Sequence, residues 1–88
     1  MEAHTRLRLL LDLAEEAGIA IRRVPAAGDG GDHPGGALVR LGTKEMLFLD
    51  PTAPPADQMA VVAAALRGRA EIENRYLPPE LREAIEKA

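Results

Sequence analysis

The hydrophobic positions fall into blocks of different period, and each block predicts an element. Over residues 5–17, Leu7, Leu10, Leu11, Ala14 and Ala17 recur at helical spacing, with Leu9 and Leu13 widening the stripe. Arg8, Asp12, Glu15 and Glu16 take the opposite arc; Thr5 is a candidate N-cap and Gly18 a candidate stop. Residues 19–24 (Ile-Ala-Ile-Arg-Arg-Val) read as a strand rich in β-branched side chains, ended by Pro25. Residues 25–36 are Gly, Pro, Asp and Ala around His33, without periodicity, which predicts a long, flexible surface loop. Two short apolar runs at 37–41 and 45–49 flank Gly42-Thr43-Lys44, the pattern of an antiparallel hairpin with a three-residue loop.

The next block is different in kind. Residues 55–67 contain no polar side chain between Met59 and Leu66, so the spacing predicts a helix that is hydrophobic all round and buried inside the domain. Pro54 and Pro55 suit its first turn, where a missing N–H costs nothing, and Gly68 closes it. Residues 69–76 are charged and show no period. Leu77-Pro78-Pro79-Glu80 opens a last helix with Leu81, Ala84, Ile85 and Ala88 on one side, and Leu77 against Leu81 forms a candidate hydrophobic staple. The element order α-β-β-β-α-α predicts one small α+β domain over residues 1–88. It comprises an N-terminal helix, a three-stranded and mainly antiparallel sheet, a buried helix and a C-terminal helix.

Composition narrows the function classes. A chain of 88 residues has room for one core, and 47% hydrophobic with 28% charged residues is globular rather than disordered. Phe48 and Tyr76 are the only aromatics, which speaks against base stacking, and a net charge of -3 speaks against a broad nucleic-acid footprint. Cysteine is absent, so disulfides, thiolate nucleophiles and zinc–thiolate sites are excluded together. Serine is absent too, and Thr5, Thr43, Thr52 and Tyr76, the only hydroxyls, have no neighbouring base in sequence. No signal peptide pattern opens the chain and no apolar run reaches bilayer length, so a soluble cytoplasmic protein without membrane contact is expected.

From the hairpin to the apolar helix the chain resembles the N-terminal half of the ImmA/IrrE-type zinc metallopeptidases. Ala17-Gly18-Ile19 matches the junction between that family's first helix and first strand. Leu47-Phe48-Leu49-Asp50 and the turn through Pro55-Ala56-Asp57-Gln58 match the approach to its Ala-His-Glu-x-x-His helix. In that register Ala63 falls on the family's alanine, Ala64 and Ala65 replace the first zinc-binding histidine and the catalytic glutamate, and Gly68 replaces the second histidine. Residues 73–78 are similar to the segment supplying the third ligand, at a much shorter spacing. The resemblance implies a degenerate scaffold without its metal chemistry, because such a peptidase needs both histidines and an acidic base.

The remaining candidates each have a plain alternative. Asp29, Asp32 and His33, with His4 as the only other histidine, combine oxygen and imidazole donors for a metal-dependent hydrolase or enzyme subunit with unusual ligands; the alternative is a solvated loop whose aspartates favour turns. The glycines at 28–36 are no phosphate cradle, since they lead into a strand and lack a Gly-Lys-Ser/Thr ending. Arg22 and Arg23, with Arg40 if adjacent in the sheet, form a basic patch for an acidic peptide or phosphate, or else ordinary surface charge. Tyr76-Leu77 is an exposed anchor for a partner, or else a loop packing back on the core. Glu83 and Lys87 have the favourable i, i+4 order of a surface ion pair. No catalytic, cofactor-binding or metal residue is assigned. The expected role is a non-catalytic protein-interaction or regulatory domain, with Arg22, Arg40, Tyr76 and Leu77 as partner-binding candidates. The partner is another protein or a second copy through an uncovered sheet edge, and not nucleic acid.

Overall fold

In the structure, a computed structural model that describes residues 2–24 and 35–88, seven elements follow one another. They are α1 (Ala3–Glu16), β1 (Ile19–Arg23), β2 (Gly36–Leu41), β3 (Lys44–Leu49), α2 (Pro55–Leu66), α3 (Ala70–Glu73) and α4 (Pro79–Glu86). The α+β order agrees with the expectation from the sequence, with α3 as an added helical turn in the charged stretch. α1 starts earlier than expected: Glu2, not Thr5, is its N-cap, and no side chain caps it. Proline leads two of the three later helices, Pro54 before α2 and Pro78 before α4, with a second proline at the first helical position of each.

The sheet order is β1-β3-β2. β2 and β3 form the expected antiparallel hairpin, whereas β1 pairs with β3 in parallel, so the sheet is mixed. β3 holds the most apolar run, Met46-Leu47-Phe48-Leu49, and takes the central place where both edges are satisfied; Leu47 and Leu49 are fully buried. Leu41 pairs with Lys44. The hairpin therefore closes on two residues, Gly42 and Thr43, with Gly42 at φ +63°, as a tight hairpin turn requires of its first residue.

Side-chain alternation sorts the sheet into two faces. Ile19, Leu47 and Leu49 join α1, α2 and α4 residues in one core, completed by Ile72, Leu77, Leu81 and Ile85. Val39, Met46 and Phe48 point the other way and stand outside that core cluster. α2 lies between α1 and α4 and crosses β2 and β3, which makes it the hub of the core.

α2 does not match the expectation of burial all round. Val62, Ala63, Ala65 and Leu66 are buried, but Ala56, Ala60 and Ala64 are exposed. A three-stranded sheet is narrower than the two helices resting on it, so the side of α2 beyond β2 meets no other element among the described residues. Alanine is small enough to stand on either side.

Candidate functional site

β2 has the shortest path from backbone geometry to a binding surface. The Asp50 amide donates to the Gly35 carbonyl at 3.0 Å, in register with the hairpin. Antiparallel alternation then directs the backbone groups of residues 37, 39 and 41 toward β3 and those of Gly36, Leu38 and Arg40 toward the open side. Among the described residues no strand lies there.

Beside this edge runs a groove of about 400 Å³ between β2 and α2, lined by Gly36, Ala37, Leu38, Ala60, Val61 and Ala64 with Ala65 at its base. Its lining carries no charge. Leu38 is 38% exposed, unusual for a leucine opposite the fully buried Leu47.

Both ends of the groove are fixed. At one end the first turn of α2 crosses the start of β2 so closely that a Cβ on Gly35 would overlap the Asp57 carbonyl. One on Gly36 (φ +140°) would overlap the Phe48 carbonyl. Glycine is obligatory at this crossing. The buried Gln58 tethers the preceding turn by donating from Nε2 to the Ala53 carbonyl at 2.8 Å.

At the other end sits an ionic clamp. Arg69 donates from Nη1 and Nη2 to both carboxylate oxygens of Glu45, at 2.8 and 2.5 Å, and from Nε to the Ala65 carbonyl at 2.6 Å. Arg40 adds a third contact to Glu45 at 3.1 Å. The side chains of Glu45 and Arg69 are each only 17% exposed. Hydrogen bonding from Arg69, and then from Arg40, holds the Glu45 carboxyl down at about 2, against an ordinary value of 4.5, and Glu45 in turn raises Arg69. One arginine thereby ties the last turn of α2 to the start of β3.

The residues expected from sequence to bind a partner are not brought together. Arg22 pairs with Phe48 and Arg40 with Glu45, so they stand on opposite faces and opposite edges of the sheet, and no joint patch forms. Leu77 is 6% exposed and belongs to the core, while Tyr76 is 83% exposed beside it. The pair splits into one packing residue and one surface residue. The Asp29, Asp32 and His33 set lies outside the described residues, and His4 is exposed on α1. Glu83 and Lys87 do pair, at 2.7 Å, which lowers the Glu83 carboxyl.

The positions that the resemblance aligns with metallopeptidase chemistry are not enclosed together. Ala65 is buried, but Ala64 is exposed on the groove and Gly68 is exposed beyond the end of α2. α2 stops at Leu66, so positions 64 and 68 do not share one helical face, the arrangement two zinc-binding histidines need. Among the described residues no three His, Cys, Asp or Glu side chains converge.

Sequence reasoning passed over Leu38 and Ala60 and read Ala64 only as a replaced ligand position. The signal was present in two places: a strand with one charge in six residues, and alanines at 56, 60 and 64 at i, i+4 spacing opposite Val62 and Leu66. No protein-family model matches the chain, and no curated protein or solved structure is significantly similar to it. Among the described residues no helix is long and apolar enough to cross a membrane.

Proposed function

We propose that the chain is a non-catalytic protein-interaction domain that docks an extended, apolar segment along β2. One observation carries the reading: the outward backbone groups of Gly36, Leu38 and Arg40 run beside an uncharged groove whose far wall is α2. An incoming strand gains main-chain hydrogen bonds from the edge and seats alternate side chains against Ala60 and Ala64. The buried part of α2 is aliphatic apart from Gln58, whose amide is engaged by Ala53, which supports a scaffold role for this helix. In this reading the chain acts in the cytoplasm and needs no cofactor, and its likeness to a degenerate ImmA/IrrE scaffold is confined to the apolar helix, since Ala64 and Gly68 do not share a helical face. Its supports are the apolar residues at 63–65 and the lack of cysteine.

The test is selection of peptides from a displayed random library against the native chain. Peptides enriched in alternating apolar residues should lose binding on Leu38→Lys and keep it on Arg8→Glu, a change on the exposed arc of α1. Peptides indifferent to Leu38→Lys would contradict the reading. Protein purified without a histidine tag should hold no stoichiometric metal; one zinc per chain would favour a hydrolase instead.

A further inference from the structure

Resting on that reading, we infer that the segment docked on β2 is β2 of a second copy, so that two chains join edge to edge into one six-stranded sheet. The backbone fixes how they meet. Only Gly36, Leu38 and Arg40 turn their hydrogen-bonding groups outward. A two-fold antiparallel pairing that uses all three must set Leu38 against Leu38 of the second copy and Gly36 against Arg40.

This register suits the side chains. On the helix side the two Leu38 meet at the axis between the two grooves. On the other face Ala37 opposes Val39, an apolar cross-strand pair. The two Arg40 fall four residues apart along the strands, about 13 Å, and each is already held by Glu45 of its own chain. Like charges therefore do not face each other.

The helices fit the same symmetry. α2 lies behind β2, and its exposed Ala60 and Ala64 line the groove on the side the second copy would occupy. Two small-residue stripes let the helices approach closely across the axis. Among the described residues, a chain with 28% charged residues and net charge -3 presents here a groove lining without charge, with Arg40 paired beside it and Asp57 at its end. An uncharged, self-complementary surface favours another copy over a charged partner, which would need opposite charge to meet.

The size is sufficient. β2 runs about 20 Å and α2 about 18 Å, so joining two such edges buries on the order of 1,000 Å² in total, near the lower bound of a specific interface. The dimer is thus expected to dissociate on dilution.

Sedimentation of the native chain from micromolar to near-millimolar concentration should show a monomer passing into a dimer. Leu38→Lys, at a position already part-exposed and so tolerated by the fold, should weaken the dimer roughly tenfold or more by setting like charges at the axis. Because the chain has no native cysteine, Leu38→Cys gives a clean second test. Opposed residues at the axis lie about 5.5 Å apart between Cα atoms, within disulfide reach. Mild oxidation should link them, whereas Leu41→Cys, with its two copies roughly 20 Å apart, should stay unlinked. A monomer at every concentration that still binds peptides through Leu38 overturns self-pairing and leaves the interaction-domain reading standing. A monomer that binds none overturns both. A dimer unmoved by Leu38→Lys, or linked as readily through Leu41→Cys, overturns this pairing.

Discussion

β1 and β2 flank the same central strand, yet they meet their surroundings differently. β1 ends in consecutive exposed arginines, Arg22 and Arg23, and its buried face is held by α1. β2 has one charge, Arg40, already engaged by Glu45, and beside it lies the uncharged groove under α2. Natural sheets protect free edges with charges, prolines, bulges or a covering element. β1 has the first kind of protection. β2 pairs without a bulge from Gly36 to Leu41 and carries no proline. Among the described residues β2 is open where β1 is guarded, and the proposed pairing rests on that contrast.

The largest effects should separate the inner from the outer side of α2. Val62→Asp buries an unpaired charge at a fully buried site and should cost about 4 kcal/mol or more, enough to unfold a domain of this size in a thermal melt. Ala64→Asp, two positions on but facing the groove, should cost less than about 1 kcal/mol. Equal losses would mean that α2 is enclosed on both sides. Next, Gly36→Val should cost about 2–3 kcal/mol, because a Cβ there overlaps the Phe48 carbonyl and the backbone is left-handed. Ala20→Val on exposed β1 should be nearly neutral.

The clamp gives a smaller, pH-dependent effect. Glu45 has a carboxyl depressed to about 2 in the folded chain, against 4.5 ordinarily, so the unfolded chain binds its proton first as pH falls. Its stabilisation is complete above about 4.5 and is lost as pH drops toward 2. Glu45→Gln should remove that part of the acid dependence in melts recorded across this window. Arg69→Ala should lower the neutral-pH midpoint more than Arg69→Lys, which loses the two-pronged contact but keeps the charge. The smallest effect on stability is expected at the edges themselves: Arg22→Glu and Leu38→Lys should each shift stability by less than about 0.5 kcal/mol. Only the second should change association.

How much of this was legible in the sequence follows from how far apart the interacting residues lie. α1 could be read from its own leucines, and the hairpin from Gly42 between two apolar runs, because those signals are local. The parallel pairing of β1 with β3 could not, since β3 takes the place between two strands that are consecutive in sequence, and nothing local in any of the three shows that order. The exposed side of α2 was hidden by composition: a run of alanine, valine and leucine reports hydrophobicity but not which side a neighbour leaves open. The Glu45–Arg69 contact spans 24 residues, across the whole apolar helix, and Arg69 opens a charged stretch in which no residue stands out. At the candidate site, Arg22 and Arg40 looked like partners only because sequence does not show which edge or face each strand takes.

The most direct test is amide hydrogen exchange at Gly36, Leu38 and Arg40, followed by NMR as the chain is concentrated. The outward amides of β1, those of Ile21 and Arg23, serve as the internal reference, since the Val24 amide donates to Leu49 and alternation turns theirs away from β3. The account predicts that the three β2 amides exchange quickly in dilute solution and become protected with concentration while the β1 pair does not change. Protection that stays flat at β2, or that appears at β1 instead, would contradict it.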